Sequence, residues 1–366
     1  MTPPRPENRE GLSTTHDFLS ADSAGIGGLV PGSVGQIVTS PPYPMVKMWD
    51  ATFAGQSHAV AAALETERCG DAFEAMHQVL DKVWAACVRA LRDGGFACIN
   101  VGDAVRTCGG TFQLFSNHTR IIQSLQSAGM TLLPAILWRK PTNSPTKFMG
   151  SGMLPAGAYV TLEHEYVIVA RKGAPRRPDS REERMLRRQS SLFWEERNQW
   201  FSDLWQFTGT RQELTAGAGR NRSAAYPLEL PYRLVAMYSI MGDTVLDPFS
   251  GTGTTSLAAM ALARNSIAID VDAELTATAY RRGMHPDTTA GLAARNRRRI
   301  ADHLAFLARR DQPVKHSHAR KLVPVVTSQE TDMIIPLLSG VTAESLDEPG
   351  GAGRIRCGYT DEAWSS

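Results

Sequence analysis

The chain has 366 residues, 42% of them hydrophobic and 21% charged, the profile of an ordinary globular protein that can bury a sizeable core, and a formal charge of only +2 at pH 7. That balance neither demands nor excludes a polyanionic partner, so a nucleic-acid surface has to come from local clustering. Residues 1–10 hold Pro, Arg and Glu without an apolar core, and no later run reaches bilayer length, which argues against secretion and membrane insertion and predicts a cytoplasmic protein.

Five cysteines (Cys69, Cys87, Cys98, Cys108, Cys357) show no C-x-x-C pair, so reduced thiols are expected. Residues 1–14 and roughly the last 25 are polar or Gly-rich and predict frayed tails. Residues 34–38 predict a strand ending at Thr39-Ser40-Pro41-Pro42-Tyr43, where two prolines forbid continuing the ladder. Residues 45–70 follow as a candidate mobile flap. Over 71–91, Phe73, Met76, Leu80, Val83, Trp84 and Cys87 recur at helical spacing, and Gly94-Gly95 closes that helix before a strand over 96–101. A second unit follows as a helix over 119–128, Gly129 as its C-cap, and a strand over 131–138; a strand over 159–170 carries Glu163-His164-Glu165.

From 171 to 188 the chain holds eight basic residues against three acidic ones, followed by Phe193, Trp194, Trp200, Phe201, Trp205 and Phe207. These read as phosphate- and base-contacting groups, or as a solvated helix beside a buried aromatic cluster. Alternation then resumes with a helix over 230–240, a strand over 244–246, a Gly-rich turn, a helix over 255–263 and a strand over 266–270. The whole predicts an α/β fold with a mostly parallel sheet.

The sharpest local signal is Asp247-Pro248-Phe249-Ser250-Gly251-Thr252-Gly253-Thr254. A strand runs into a tight Gly-x-Gly turn and a helix starts at once, with Thr254 or Thr255 placed to cap it and the glycines leaving room for a ligand. Asp270, 23 residues after Asp247, ends the next strand, where a carboxylate accepts from both ribose hydroxyls. The loop lacks a P-loop lysine and the third glycine of a dinucleotide fingerprint. Asp247 repels a pyrophosphate but attracts a sulfonium that also bears an ammonium group. S-adenosyl-L-methionine is therefore favoured, although a Gly-x-Gly turn by itself also fits an unrelated α/β protein.

The second signal is Ser40-Pro41-Pro42-Tyr43. An exocyclic amine is a poor nucleophile because its lone pair is delocalised into the base. Acceptors for its two hydrogens pull the nitrogen toward tetrahedral geometry. Ser40 Oγ supplies one acceptor and the Ser40 or Pro41 carbonyl the other, Pro41 and Pro42 remove N–H donors, and Tyr43 offers a face to an everted base. A proline-terminated edge strand with a packing tyrosine is the plainer alternative.

Together the two motifs resemble the DNA amino-methyltransferases. Their order, catalytic motif first, resembles the β group, which implies a circularly permuted Rossmann-like S-adenosylmethionine-dependent methyltransferase fold with an inserted target-recognition region. Leu91-Arg92-Asp93-Gly94-Gly95-Phe96 with Asn100-Val101-Gly102-Asp103, Trp138-Arg139-Lys140-Pro141-Thr142-Asn143, residues 163–169 and Tyr226-Pro227-x-Glu229-Leu230-Pro231 resemble further family segments. Arg222 and Ser223 stand where the family has His-Pro, and Asp22-Ser23 resembles its Asp-Ser near the adenine ring.

The resemblance implies duplex DNA as partner, a possible cognate restriction endonuclease, and cytosine N4 as target, because Ser precedes Pro-Pro-Tyr; adenine N6 is the alternative. No cysteine follows a proline, which disfavours C5 chemistry. RNA or small-molecule methyl transfer and a non-catalytic nucleic-acid-binding module are the rival classes. The expected division is a tail over 1–14, a catalytic half over 15–170, target recognition over 171–221, a cofactor half over 222–310 and an extension over 311–366. His316-x-His318 lacks a third ligand and reads as a surface feature, so no metal is expected.

Overall fold

Six consecutive buried residues, VGQIVT, make the strand Val34–Thr39, the pattern of a strand covered on both faces. It belongs to a computed structural model that describes residues 12–140, 149–208, 226–321, 323–345 and 351–360. The chain divides into two units. One comprises Asp22–Arg176 and Trp200–Leu230, the other Met1–Ala21, Arg177–Gln199 and Pro231–Ser366.

In the first unit Val34–Thr39 runs parallel to Leu91–Val101, which is antiparallel to His164–Lys172. The latter is antiparallel to Met130–Arg139, and Leu204–Gln206 adds a parallel edge. The sheet is mixed rather than mostly parallel. A parallel neighbour needs a crossover, usually a helix; Cys69–Ala90 supplies one, whereas the described residues between Arg139 and His164 contain none. That helix buries Ala72, Met76, Leu80, Val83, Trp84 and Cys87, the face its periodicity predicts. Gly94-Gly95 does not close the helix but lies inside the next strand, at a register shift against Val34–Thr39. Gly94 has φ +74°, and a Cβ there would stand 2.6 Å from the Arg176 nitrogen.

Residues 45–70, expected as a flap, contain the helices Asp50–Gln56 and His58–Glu65, which bury Phe53 and Val60. Cys69 and Cys108 form a disulfide, contrary to the expectation of five thiols; their Cα atoms lie 6.3 Å apart, within bridging range. The other three cysteines are buried and outside any disulfide, and burial pushes the Cys98 and Cys357 thiols up to about 12.

In the second unit Thr244–Asp247, Asn265–Asp270 and Ser13–Ser20 run parallel in that order. Gly351–Thr360 then pairs antiparallel with Ser13–Ser20, and Leu337–Glu344 with Gly351–Thr360. Both expected tails thus contribute strands. Thr14, His16 and Phe18 point inward from one, and Ile355, Cys357 and Tyr359 from the other. His318 is also no surface feature: it is 2% exposed, its Nε2 lies 2.6 Å from the Met333 carbonyl, and its Nδ1 receives the Arg320 and Lys321 N–H groups.

The expected target-recognition segment is shared between the units, its 177–199 part in one and its 171–176 and 200–208 parts in the other. Residues 209–221 of it, together with Pro141, Thr142, Asn143, Arg222 and Ser223, lie outside the described residues. Half of its six aromatic residues are core: Phe193, Trp200 and Trp205 are buried, Trp194 and Phe201 are exposed, and Phe207 is half-buried. Lys172 donates to the Val88 and Leu91 carbonyls and Arg188 pairs with Asp332, whereas Arg181, Arg184 and Arg187 lie on an exposed helix face.

Candidate functional site

The Ser40-Pro41-Pro42-Tyr43 corner follows directly on Val34–Thr39. Ser40 and the Tyr43 ring are half-buried and Pro41 is buried. Two residues on, Met45 adopts φ +65° while 2% exposed, a left-handed conformation that a non-glycine residue keeps only where its surroundings impose it. Asn117 braces the loop: its Nδ2 donates to the Pro44 and Gly102 carbonyls at 3.1 and 3.0 Å, and its Oδ1 faces His77 Nε2 at 3.1 Å.

The Tyr43 hydroxyl sits in a polar cluster. It donates to Glu165 Oε2 at 3.1 Å, receives Asn100 Nδ2 at 3.1 Å, and lies 3.0 Å from Ser40 Oγ. Asn100 Nδ2 also donates to Glu165 Oε2 at 2.6 Å, and Lys140 Nζ pairs with Glu165 Oε1. Burial and the adjacent Glu165 charge push the Tyr43 phenol well above its ordinary value, so it stays protonated. Gly102 is closely packed here: a Cβ would stand 3.1 Å from Tyr43 Cε2 and 3.3 Å from Glu165 Cγ, so a side chain would press on both. Beyond it, His118 Nδ1 rests on Asp103 at 2.8 Å and its ring stacks on Tyr166 at 3.7 Å.

In the other unit the 247–254 turn is built around two carboxylates. Asp247, 2% exposed, accepts from the Phe249 N–H at 3.1 Å and from Thr255 Oγ1 at 2.5 Å. Asp270 accepts the Gly251 N–H at 2.8 Å and the Asp272 N–H at 3.0 Å. Neither threonine caps the helix Thr254–Ala261. Its N-cap is Gly253, φ +79°, because Thr255 is turned to Asp247 and Thr254 to Arg282.

Arg282 holds the turn from behind, donating to the Thr252 carbonyl at 3.2 Å and to Thr254 Oγ1 at 3.2 Å. The two glycines serve different ends. Nothing lies within 4 Å of a Cβ built on Gly251, whereas one on Gly253 would stand 2.9 Å from Ala279 Cβ, so Gly253 permits helix packing rather than ligand entry. Asp22 serves as an N-cap, its Oδ1 accepting the Ala24 N–H at 2.9 Å.

A nucleoside-bearing cofactor fits this turn on two observations. Ser250 Oγ is buried with no hydrogen-bond partner among the described residues, and the space at Gly251 is open beside the partly exposed Asp270. An orphaned hydroxyl of this kind calls for a ligand or water. The structure also gathers Glu195, His303 and Glu330 closely enough for a metal. Both His303 nitrogens are already engaged, by Glu195 Oε1 at 2.7 Å and the Pro324 carbonyl at 3.1 Å, which describes an imidazolium in an ion pair rather than a ligand.

Asn100, Asn117 and Arg282 were not singled out by motif reasoning as site residues. Asn100 sits in a segment quoted only for its resemblance, and nothing local marks Asn117 or Arg282, whose partners lie 73 and 30 residues away.

The Ser-Pro-Pro-Tyr corner early in the chain and the strand–turn–helix unit about 200 residues later belong to a circularly permuted, Rossmann-like methyltransferase fold. The N6/N4 DNA methylase family matches residues 34–281, well over half of the chain, and the chain belongs to that family. It is 46% identical over 327 residues to the Type II methyltransferase M.MthZI of Methanothermobacter thermautotrophicus, covering 88% of this chain and 90% of that protein. Identity to the Type II methyltransferase M.MjaI of Methanocaldococcus jannaschii is 43% over 275 residues, 72% of this chain and 89% of that one. Among solved structures it is similar to the putative DNA modification methylase TTHA0409 of Thermus thermophilus, complexed with S-adenosyl-L-methionine, with TM-score 0.57 and 28% identity over 73% of this chain and 92% of that chain.

Proposed function

We propose that this chain is a site-specific DNA methyltransferase that moves a methyl group from S-adenosyl-L-methionine to the N4 amino group of cytosine in duplex DNA. It acts in the cytoplasm as the modification partner of a restriction endonuclease. The observation that carries the reading is the acceptor corner: a hydroxyl and proline-flanked carbonyls at Ser40-Pro41-Pro42, held rigid by the Tyr43 cluster and by Asn117.

Bound S-adenosyl-L-methionine supplies an electrophilic methyl on a sulfonium. The turn residues Asp247 to Thr254 would hold the cofactor, with Ser250 Oγ and Asp270 offering polar contacts, Gly251 leaving it space and Phe249 an apolar wall. Ser40 Oγ and a carbonyl of Ser40 or Pro41 accept the two amine hydrogens, localising the nitrogen lone pair, and the Tyr43 ring supports the base. The exposed Arg181, Arg184 and Arg187 neutralise phosphates.

Serine before Pro-Pro-Tyr favours cytosine N4, while an adenine N6 amine would meet the same acceptors. Duplex DNA treated with the protein and the methyl donor, digested to nucleosides and weighed, decides it: N4-methyl-2′-deoxycytidine is expected, N6-methyl-2′-deoxyadenosine would shift the target base, and no methylated nucleoside would end the reading.

A further inference from the structure

A serine hydroxyl is ambivalent, carrying one hydrogen and two lone pairs. If the Ser40 hydrogen faced the incoming amine it would bind the very lone pair that has to attack. A serine in this corner is useful only when its hydrogen is held elsewhere, a condition that an asparagine carbonyl or an aspartate carboxylate meets without help.

The cluster behind Ser40 meets that condition through its hydrogen count. Glu165 is acceptor-only when ionised, and two cationic or amide donors, Lys140 Nζ and Asn100 Nδ2, are turned on its oxygens. The Tyr43 hydroxyl, 3.1 Å from Glu165 Oε2, has a single hydrogen and gives it to that oxygen. Its own oxygen is then left only as an acceptor, at 3.1 Å from Asn100 Nδ2 and 3.0 Å from Ser40 Oγ. The Ser40 hydrogen therefore points to Tyr43, and the lone pairs of Oγ remain for the substrate.

We propose that Glu165, acting through Tyr43, is a positioning residue that fixes the direction of the Ser40 hydroxyl and so turns an ambivalent side chain into a dedicated acceptor for the exocyclic amine. The inference rests on the methyl-transfer reading above. It moves no proton. Asn100 and Lys140 hold the Glu165 carboxylate in place. The arrangement also assigns Tyr43 a second duty, because its ring supports the base while its hydroxyl sets the polarity of the chain of three.

Glu165→Gln removes that polarity. Lys140 demands an acceptor at one end of the new amide, which leaves its NH₂ group facing Tyr43 and Asn100 Nδ2, so Tyr43 loses the acceptor for its hydrogen and no longer holds the Ser40 hydroxyl in one direction. Tyr43→Phe keeps a ring but cuts the chain.

The test is single-turnover transfer of a tritiated methyl group from S-adenosyl-L-methionine to duplex DNA by the full chain, with cofactor affinity by calorimetry and the melting temperature of each variant. Each single substitution is expected to slow transfer on the order of 10²-fold, with KM for DNA and cofactor affinity within about twofold, as when one preorganised group at a reacting atom is lost. The double variant is expected to be no slower than either single, since both act on one hydroxyl.

Unaltered rates in Glu165→Gln, or losses that multiply in the double variant, would overturn the inference. So would a loss confined to KM or cofactor affinity. Should Glu165→Gln fail to fold, Tyr43→Phe decides alone, because an unimpaired rate there also overturns the chain. Absence of transfer by the unaltered protein would instead sink the methyltransferase reading itself.

Discussion

Gly251 and Gly253 share a left-handed backbone, at φ +51° and +79°, yet only Gly253 is crowded, with Ala279 Cβ 2.9 Å from where its own Cβ would be. An alanine at either position incurs about 1–2 kcal/mol of backbone strain. At Gly253 it also pushes on the helix Ala273–Met284, and overpacking adds roughly 1–3 kcal/mol. Gly253→Ala is thus expected to unfold at clearly lower urea than Gly251→Ala, and Gly251→Ala to show the larger loss of cofactor affinity relative to its stability change. Equal shifts in urea midpoint would mean that both glycines serve packing. The same division of labour separates the two halves of the chemistry. On the proposed reading Ser40→Ala and Tyr43→Ala remove groups that meet the reacting amine, and they are expected to lower turnover about 10²-fold or more with cofactor affinity nearly unchanged. Asp247→Ala releases both the Phe249 N–H and Thr255 Oγ1, so the turn loses its frame and cofactor affinity falls first. Calorimetric titration beside single-turnover rates distinguishes these outcomes.

Elements inherit such local causes, and two are open to a direct test. The Cys69–Cys108 bridge ties the start of the helix Cys69–Ala90 to the strand Ala104–Cys108 across a separation of 39 residues. Closing a loop of that length stabilises by about 4 kcal/mol on the chain-entropy scale. Cys108→Ser is expected to lose about 2–4 kcal/mol in non-reducing urea titrations, and dithiothreitol to bring the unaltered protein to the same midpoint. The strand Gly351–Thr360 places Ile355, 0% exposed, against Phe18 and Gly283. Ile355→Ala is expected to lose about 2–5 kcal/mol, and a shift under 1 kcal/mol would show that the strand is dispensable. That strand was legible: Ile355, Cys357 and Tyr359 alternate with Arg354, Arg356 and Gly358, and only its glycines suggest a tail. Its partner Ser13–Ser20 was not, because two of its three buried residues, Thr14 and His16, are polar. Their hydrogen bonds to each other, to Tyr359 and to Ser266 exist only once distant strands pair. Periodicity did find the helix Cys69–Ala90 and the strands around both motifs, since apolar faces speak locally. The motifs placed Ser40, Tyr43, Asp247 and Asp270 at or just past strand ends; Asp247 finds its partners Phe249 and Thr255 close by in sequence, whereas Tyr43's partners Asn100 and Glu165 come from other strands and leave no pattern.

Across the whole molecule, three buried histidines set how stability depends on pH. Burial lowers His16 to about 3 and His77 to about 4, so both are neutral in the folded protein through the mildly acidic range in which the unfolded chain protonates them. The unfolded state then binds more protons, and stability falls as pH drops below the ordinary value near 6.5, by up to about 1.4 kcal/mol per pH unit for each histidine. One such histidine lies in each unit, so two separate unfolding transitions would each carry about half of the slope. His303 works in the opposite sense. Burial alone would lower its imidazole, but the hydrogen bond and charge of Glu195, with the Pro324 carbonyl and Glu330, raise it above the ordinary value. Its contribution is complete below the unfolded value and disappears as pH rises through the folded one. The opposing signs predict a stability maximum near neutrality, with an acidic limb set by His16 and His77 and an alkaline limb set by His303. Urea midpoints measured from pH 4.5 to 8.5, a window spanning roughly two units on each side of the ordinary histidine value, should rise and then fall. In His303→Gln, less stable at every pH, the alkaline limb should be absent and the acidic one retained. A midpoint that keeps climbing through the alkaline range in the unaltered protein would show that the Glu195–His303 pair is neutral rather than ionic.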